Sequence, residues 1–164
     1  MMPGGLTRLE KLREVYLSKN ELWSDLPPDI GLMEDLEDIR VNENEMFGRI
    51  PESLYDLTKL KKLWLQDTLH CEQSEVTGWT CDVTSDYGFE GPISTGIGNL
   101  KKLSQLLLNN NPLTGELPTE IGQCEELGKC YGSLCCWDIL LLSSFCVRTK
   151  ISHPLLNPSY FLSF

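Results

Sequence analysis

The hydrophobic residues of this chain recur in a fixed frame. In its first occurrence, four aliphatic residues precede an asparagine: Leu9, Leu12, Val15, Leu17 and Asn20. The same frame starts again at Met33, Leu57 and Leu100. Successive starts are 24 residues apart, except that Leu57 and Leu100 are 43 apart. The pattern predicts repeating units one to four, with about 19 extra residues inside unit three.

Each unit contains one short segment with strand-like alternation. In unit one, Val15 and Leu17 are separated by a single residue, so their side chains are expected on one face and those of their neighbours on the other. The equivalent pairs are Ile39/Val41, Leu63/Leu65 and Leu106/Leu108. One unit cannot bury its apolar row alone. We therefore expect the units to stack and their strands to pair in parallel.

The second half of each unit also repeats. The segments NELWSDLPPDIG, NEMFGRIPESLY, YGFEGPISTGIG and NPLTGELPTEIG align with one another. Over residues 2–127 the chain resembles the plant-type leucine-rich-repeat family, whose unit reads LxxLxxLxLxxNxLxGxIPxxIGxL. This resemblance implies an α/β repeat solenoid, a curved superhelix with a short-stranded parallel sheet on its concave face. Loops, 3-10 turns or short strands are then expected on the convex face.

The frame also predicts the domain organisation. We expect the solenoid to occupy residues 1–128, with a partial repeat at 2–8 and the insertion at about 68–87. Because the chain begins inside a repeat, we expect a fragment of a larger secreted or membrane protein, with apolar side chains exposed at its N-terminal end. Residues 129–164 are an irregular tail rich in Cys, Leu and Ser. This tail could be a degenerate cap, sequence translated past an exon boundary, or a membrane-associated segment.

Two further sets of residues occupy repeated positions. Asparagines end the strand segment in three units, where a buried amide can satisfy backbone groups of the neighbouring turn and so form a ladder: Asn20, Asn44 and Asn111. Thr68 takes this place in unit three. The outward strand positions form three predicted columns on the concave face. They are Glu14, Asp38, Lys62 and Gln105; Tyr16, Arg40, Trp64 and Leu107; and Ser18, Asn42, Gln66 and Asn109.

Tyr, Trp and Arg dominate binding hot spots, so the concave columns are the candidate partner-binding face. The alternative is that a solenoid must place some side chains there without any partner.

The net charge of the chain bears on the class of partner. The formal charge is -10 at pH 7. An acidic surface repels phosphate backbones, so nucleic-acid binding is disfavoured. The longest apolar run, residues 137–147, is shorter than a bilayer span and contains Asp138, so direct membrane insertion is not expected.

The chain contains seven cysteines, of which Cys71 and Cys81 lie in the insertion. We predict that these two form a disulfide that pins the loop beside the concave face. No metal site is expected, because the spacing matches neither zinc fingers nor calcium loops. No supporting histidine or structured third group accompanies His70 and Cys71, so no catalytic site and no cofactor are predicted.

These patterns favour a non-catalytic module that presents a concave surface to a protein or peptide, within a receptor-like or secreted recognition protein. A thiol- or metal-binding protein that uses the cysteine-rich tail is one alternative. A truncated gene product without independent function is another. We expect an extracellular or membrane-attached location for a longer parent protein, and a cytoplasmic one if the chain is complete.

Overall fold

A computed structural model describes residues 5–68 and 87–127, together with the backbone of 71–74 and 78–81. The first residues of the partial repeat and the whole tail at 129–164 lie outside this part of the chain. Eight short strands are present in it. They are β1 (Glu14–Tyr16), β2 (Asp38–Arg40), β3 (Phe47–Arg49), β4 (Lys62–Trp64), β5 (Cys71–Ser74), β6 (Gly78–Cys81), β7 (Gly88–Glu90) and β8 (Gln105–Leu107).

The main sheet contains one strand from each unit. Its order is β1-β2-β4-β8, and all of its strand pairs are parallel. The register follows the sequence frame, since Val15 lies opposite Ile39, Ile39 opposite Leu63, and Leu63 opposite Leu106. The insertion therefore separates β4 from β8 along the chain but not in space. This sheet confirms the predicted solenoid fold and its stacked parallel strands.

A second, smaller parallel sheet pairs β3 with β7. Here the register departs from the sequence frame. Phe47 lies opposite Gly88, although the repeat alignment places it opposite Glu90. The bridge between Gly91 and Leu113 carries the same two-residue offset. Successive coils are thus staggered on this side and level on the main sheet.

Five 3-10 helices complete the coils, and the described residues contain no α-helix. They span Leu6–Arg8, Ile30–Leu32, Glu52–Asp56, Thr95–Asn99 and Thr119–Gln123. Pro51 and Pro118 precede two of them with φ values of -68° and -60°, which the proline ring favours. Ser94 occupies the same place in unit three, and its hydroxyl accepts a hydrogen bond from the Gly96 N–H at 3.2 Å. Consecutive helices pack against one another in the same order as the strands.

One continuous apolar core lies between the strands and the 3-10 helices. The first aliphatic residue of units two to four is fully buried in each case: Met33, Leu57 and Leu100. Burial of such a side chain stabilises the fold by roughly 1.5–3 kcal/mol. Leu9, the equivalent residue of unit one, is 53% exposed because no described coil covers it.

The coils approach each other closely where the 3-10 helices stack. A Cβ atom added to Gly31 would lie 2.4 Å from the Ser53 carbonyl oxygen, so only glycine fits there. Tyr55 occupies the equivalent position of unit two and is buried. Its ring packs against Gly96 of unit three, where an added Cβ would meet ring atoms at 3.0 Å. Burial raises the pKa of Tyr55 to about 12.

The predicted asparagine positions lie between coils. The Asn44 amide donates to the Leu17 carbonyl of unit one at 2.8 Å and to the Val41 carbonyl of its own unit at 2.8 Å. Its oxygen accepts from the Leu22 N–H at 3.1 Å. Asn20 is exposed, and among the described residues its amide bonds only to carbonyls of its own unit.

Asn111 repeats this arrangement between units three and four. Its amide donates to the Leu65 and Leu108 carbonyls at 2.8 and 3.1 Å. Its oxygen accepts from the Phe89 N–H at 2.8 Å and from the hydroxyl of Thr68. The backbone groups that end β1 and β4 are thus satisfied by an amide from the next coil.

The close contact at Gly31 leads to a stability prediction. We expect Gly31→Ala to lower the free energy of unfolding by about 1–3 kcal/mol, because the new methyl group must displace the Ser53 backbone. Gly5→Ala is the matched control, since an added Cβ there meets nothing within 4 Å. Urea unfolding followed by circular dichroism measures both variants. Equal effects of the two substitutions would contradict the role assigned to the contact.

The hydrogen bonds of the asparagines lead to a second stability prediction. Asn44→Ala leaves the Leu17 and Val41 carbonyls and the Leu22 N–H without their side-chain partner, so we expect a loss of about 3 kcal/mol in unfolding free energy. Asn20→Ala removes an exposed amide and should cost less than about 1 kcal/mol. The same urea titration compares them. An equal loss of unfolding free energy in Asn20→Ala and Asn44→Ala would show that hydrogen bonds between coils add no stability.

Candidate binding face

The outward side chains of the main sheet form the three predicted columns, because β1, β2, β4 and β8 pair in register. Glu14, Asp38, Lys62 and Gln105 are cross-strand neighbours along the first column. Tyr16, Arg40, Trp64 and Leu107 are neighbours along the second. The residues of the third column lie just beyond the C-terminal ends of these strands. Whether the columns contact a partner stays a prediction, but their geometry can be described.

The second column contains a stack of three side chains. The Arg40 guanidinium carbon lies 4.5 Å from the centre of the Tyr16 ring and 4.2 Å from the centre of the Trp64 ring. The cation is therefore held between two aromatic rings contributed by the strands on either side. Both contacts are within the range in which the ring quadrupole attracts a cation.

Asp38 fixes this stack from the first column. Its carboxylate accepts from Arg40 Nε at 2.9 Å and from Nη2 at 2.8 Å, a two-point interaction that suits the planar guanidinium. The Tyr16 hydroxyl donates to the same carboxylate at 3.1 Å, and Lys62 Nζ lies 3.6 Å away. Asp38 is only 6% exposed, so its charge is neutralised by neighbours and not by water. The hydrogen bonds that Arg40 donates to Asp38 raise the pKa of Arg40.

The stack also alters the phenol of Tyr16. Partial burial and hydrogen bonds to Glu14 and Asp38 raise its pKa above the ordinary value. On the other side of the stack, Trp64 Nε1 donates to Gln105 Oε1 at 3.2 Å. Leu107 continues the column beyond Trp64 and is half-buried. Side-chain hydrogen bonds thus join β1 to β2 and β4 to β8, and the contact of Arg40 with the Trp64 ring joins β2 to β4.

The third column consists of short polar side chains. Ser18 Oγ donates to Asn42 Oδ1 at 2.6 Å, and Asn42 Nδ2 donates to Glu43 at 3.1 Å. Asn109 Nδ2 donates to Asp67 Oδ1 at 3.3 Å. Gln66 Oε1 is buried without a hydrogen-bond partner among the described residues. This column supplies donors and acceptors next to the aromatic column.

Ion pairs beside the sheet connect units one, two and three. Lys11 and Lys59 both reach Asp35, and Lys61 reaches Glu37. Hydrogen bonds from the lysines hold the pKa of both carboxyl groups below the ordinary value. From the sequence alone, no role was assigned to the lysines of these pairs. The paired residues occupy equivalent positions of successive units, with an acid in unit two and bases in units one and three. This pattern is the sequence signal that could have identified the pairs.

The insertion leaves the coil after Thr68, next to the third column. Within it, the backbones of β5 and β6 form an antiparallel pair in which Cys71 lies opposite Cys81. Directly opposed residues of such a pair have Cα atoms about 4.5–5.5 Å apart, a separation that a disulfide can span. The side chains of these strands and His70 lie outside what the structure describes. The disulfide therefore stays a prediction.

Other sequence-based expectations concern metals and membranes. In the described ranges, no group of three or more His, Cys, Asp or Glu is placed to hold a metal ion. No helix in those ranges is long and apolar enough to cross a membrane. Cys124 is buried there as a free thiol, 3.2 Å from the Ile97 carbonyl, and burial raises its pKa. The tail cysteines, on which the thiol-based alternative depends, lie outside the described residues.

The family model of the leucine-rich repeat matches residues 11–33 and 102–124. None of the curated protein sequences matches the chain. Among solved structures, it is similar to the ectodomain of the Arabidopsis thaliana membrane receptor kinase GASSHO1/SCHENGEN3, in complex with CASPARIAN STRIP INTEGRITY FACTOR 2. The identity is 30%, the TM-score is 0.63, and the match covers 77% of this chain and 13% of that one.

Two further structures show the same likeness. The plant peptide hormone receptor RGFR1, in complex with RGF2, is 32% identical with a TM-score of 0.58, over 73% of this chain and 16% of that one. The ectodomain of the Arabidopsis thaliana receptor kinase SOBIR1 is 26% identical with a TM-score of 0.58, over 74% and 55%. The chain thus spans only part of the length of each. Together with the repeat frame and the in-register sheet, these matches show a leucine-rich-repeat fold and support a plant-type leucine-rich-repeat protein.

Proposed function

We propose that this chain is a non-catalytic module that binds a protein or peptide through the concave face of its main sheet. The observation that carries the proposal is the central patch, defined as Tyr16, Asp38, Arg40 and Trp64. This patch combines the three residue types most enriched in binding hot spots with a buried carboxylate that fixes them.

Fixing these side chains before binding favours affinity. An arginine or a tryptophan loses rotamer freedom when a partner immobilises it, at a cost of about 0.5–1.5 kcal/mol per side chain. Here Arg40 is held by two hydrogen bonds and two rings, and Trp64 by Arg40 and Gln105. Most of that cost is therefore met during folding, and the patch can meet a partner with little rearrangement.

The chemistry of the face suits a peptide chain. The aromatic column offers ring edges and the Leu107 side chain for apolar contact. The third column places Ser18, Asn42, Gln66 and Asn109 alongside, and amides and hydroxyls of this kind can bond to peptide N–H and C=O groups. A face of this composition recognises an extended chain through side-chain contacts on one column and backbone contacts on the other.

The relatives support this class of partner. Two of the similar structures are receptors solved in complex, one with CASPARIAN STRIP INTEGRITY FACTOR 2 and the other with RGF2, and the second is described as a peptide hormone receptor. We infer a receptor-like or secreted recognition protein as the parent, with residues 1–128 as the binding domain and 129–164 as a separate segment. No cofactor enters this function.

The proposal predicts which surface a ligand uses. Peptides selected from a random display library against the wild-type chain should bind Trp64→Ala about 30-fold more weakly, the loss expected for a hot-spot side chain. Trp23→Ala is the matched control, because Trp23 is 55% exposed and packs against Phe47, away from the main sheet. Its Kd should stay within about twofold of the wild-type value.

Calorimetry on the full chain measures these constants, and circular dichroism confirms that each variant folds. A selected peptide that loses equal affinity in both variants would argue against the concave face. Failure to select any peptide would argue against a peptide partner.

The anchoring role of Asp38 leads to a separate prediction. Asp38→Asn removes the negative charge beside the Tyr16 phenol, so the phenolate becomes less unfavourable and the pKa of Tyr16 should fall towards its ordinary value. Tyr55, buried beside Ser94, is the internal control and should keep its pKa of about 12. Ring signals followed by NMR across pH 8–12 measure both groups. An unchanged Tyr16 titration would contradict the proposed network.

A further inference from the structure

The charge on the strand side of the coils changes sign between unit two and units three and four. Residues 33–42 of unit two hold four acids and one arginine, whereas residues 57–66 and 100–113 hold five lysines and no acid. Lys59 and Lys61 are paired with acids of unit two. Lys62 is the lysine of this set that lies in a strand of the main sheet, so it places a positive charge on the concave face itself.

The ammonium group of Lys62 shares its nearest acid with a better placed cation. Its Nζ lies 3.6 Å from Asp38 Oδ2, beyond hydrogen-bond distance, while the same carboxylate accepts two hydrogen bonds from Arg40. One negative charge thus faces two positive ones. The Lys62 side chain is 35% exposed, and its ammonium donates no hydrogen bond to any described residue. Its charge and its three N–H donors therefore remain available to a partner.

Gln105 lies next to Lys62 in the neighbouring strand and offers further donors. An indole N–H can only donate, so the 3.2 Å contact from Trp64 Nε1 identifies the atom that faces the ring as the amide oxygen of Gln105. The Nε2 group of Gln105 is the other arm of the amide, and it donates no hydrogen bond within the described ranges. It is also not among the buried polar atoms that lack a partner there, so it is accessible to solvent.

We propose that Lys62 and Gln105 form a subsite for the carboxylate of an aspartate or glutamate side chain of the peptide partner. The subsite rests on the proposed function and extends it from a surface to a ligand chemistry. A carboxylate only accepts hydrogen bonds, so one oxygen can accept from the ammonium and the other from the Gln105 amide. Its negative charge would balance the cation that Asp38 leaves without a charge partner of its own. A basic side chain offers neither acceptors nor the required charge.

The probe for this subsite is the blocked tripeptide acetyl-Gly-Glu-Gly-amide, titrated into the full chain labelled with nitrogen-15. The matched neutral peptide has glutamine in place of glutamate. NMR follows the side-chain amide of Gln105 and the indole N–H of Trp64. We expect saturable shifts and a Kd about threefold lower for the glutamate peptide at low salt, the difference expected for one exposed ion pair. Added salt should reduce this preference.

The net charge of the protein makes the direction of this preference informative. A chain with a formal charge of -10 repels an acidic peptide at long range, so tighter binding of the glutamate peptide requires a local cation. Equal binding of the two peptides, or tighter binding of the glutamine peptide, would overturn the proposal. A glutamine peptide with a free C-terminal carboxylate that binds as tightly as the glutamate peptide would overturn the assignment to a side chain.

Two substitutions test the two donors separately. Lys62→Gln removes the cation, so the glutamate and glutamine peptides should then bind with equal Kd. Gln105→Glu keeps an acceptor for the Trp64 indole but replaces the amide donors with a negative charge. It should weaken the glutamate peptide at least about tenfold, because like charges then meet. The Kd of the glutamine peptide should change by less than about twofold.

Lys101→Gln is the matched control for the loss of one positive charge. Lys101 is exposed, precedes β8, and donates to Gln123 at 3.0 Å, away from the concave columns. Its Kd for the glutamate peptide should stay within about twofold of the wild-type value. Equal losses in Lys62→Gln and Lys101→Gln would show only an effect of net charge and would overturn the subsite. Peptide selection through Trp64 is measured separately, so failure of this subsite alone would leave the binding face intact.

Discussion

Each coil of this solenoid is covered by the next, and the rest of the structure depends on that constraint. A strand of three residues with a single 3-10 helix has too little surface to bury its own aliphatic side chains. Met33, Leu57 and Leu100 reach zero exposure only because a coil lies on either side of each. Leu9 lacks a described neighbour on one side and is half exposed. Stability is therefore a property of contacts between coils.

The same contacts position the binding face. Stacking of the units in register places equivalent residues of successive strands side by side, so single residues far apart in sequence become a column. Arg40 can lie between two rings only because Tyr16 and Trp64 come one coil before and one coil after it. The backbone ends of β1 and β4 are satisfied by Asn44 and Asn111 of the next coil, which keeps these coils level. Precision at the face follows from regularity in the core.

The sequence was enough to predict the parts of the structure that repeat. The frame fixed the strand positions, the level register of the main sheet and the membership of the three columns. It could not predict interactions that occur once. Asp38 was placed in its column, but its two-point contact with Arg40 depends on side-chain geometry between neighbours. The burial of Tyr55 against Gly96 and the two-residue offset of the smaller sheet likewise follow from packing that no periodicity records.

Similar coils raise the question of what prevents them from stacking in the wrong order. The aliphatic rows cannot decide this, because a slip of one coil brings equivalent leucines together again. Charges can decide it, since Asp35 and Glu37 of unit two meet Lys59 and Lys61 of unit three, whereas units one and three both carry bases at those places. Each exposed pair contributes at most about 1 kcal/mol, but a slip would replace attraction with repulsion at several places together. Steric fit also favours the native order of the coils. Only glycine at position 31 leaves room for the Ser53 backbone, and the Tyr55 ring needs Gly96 opposite it. The residues that break the repeat are thus the ones that specify the order of its coils.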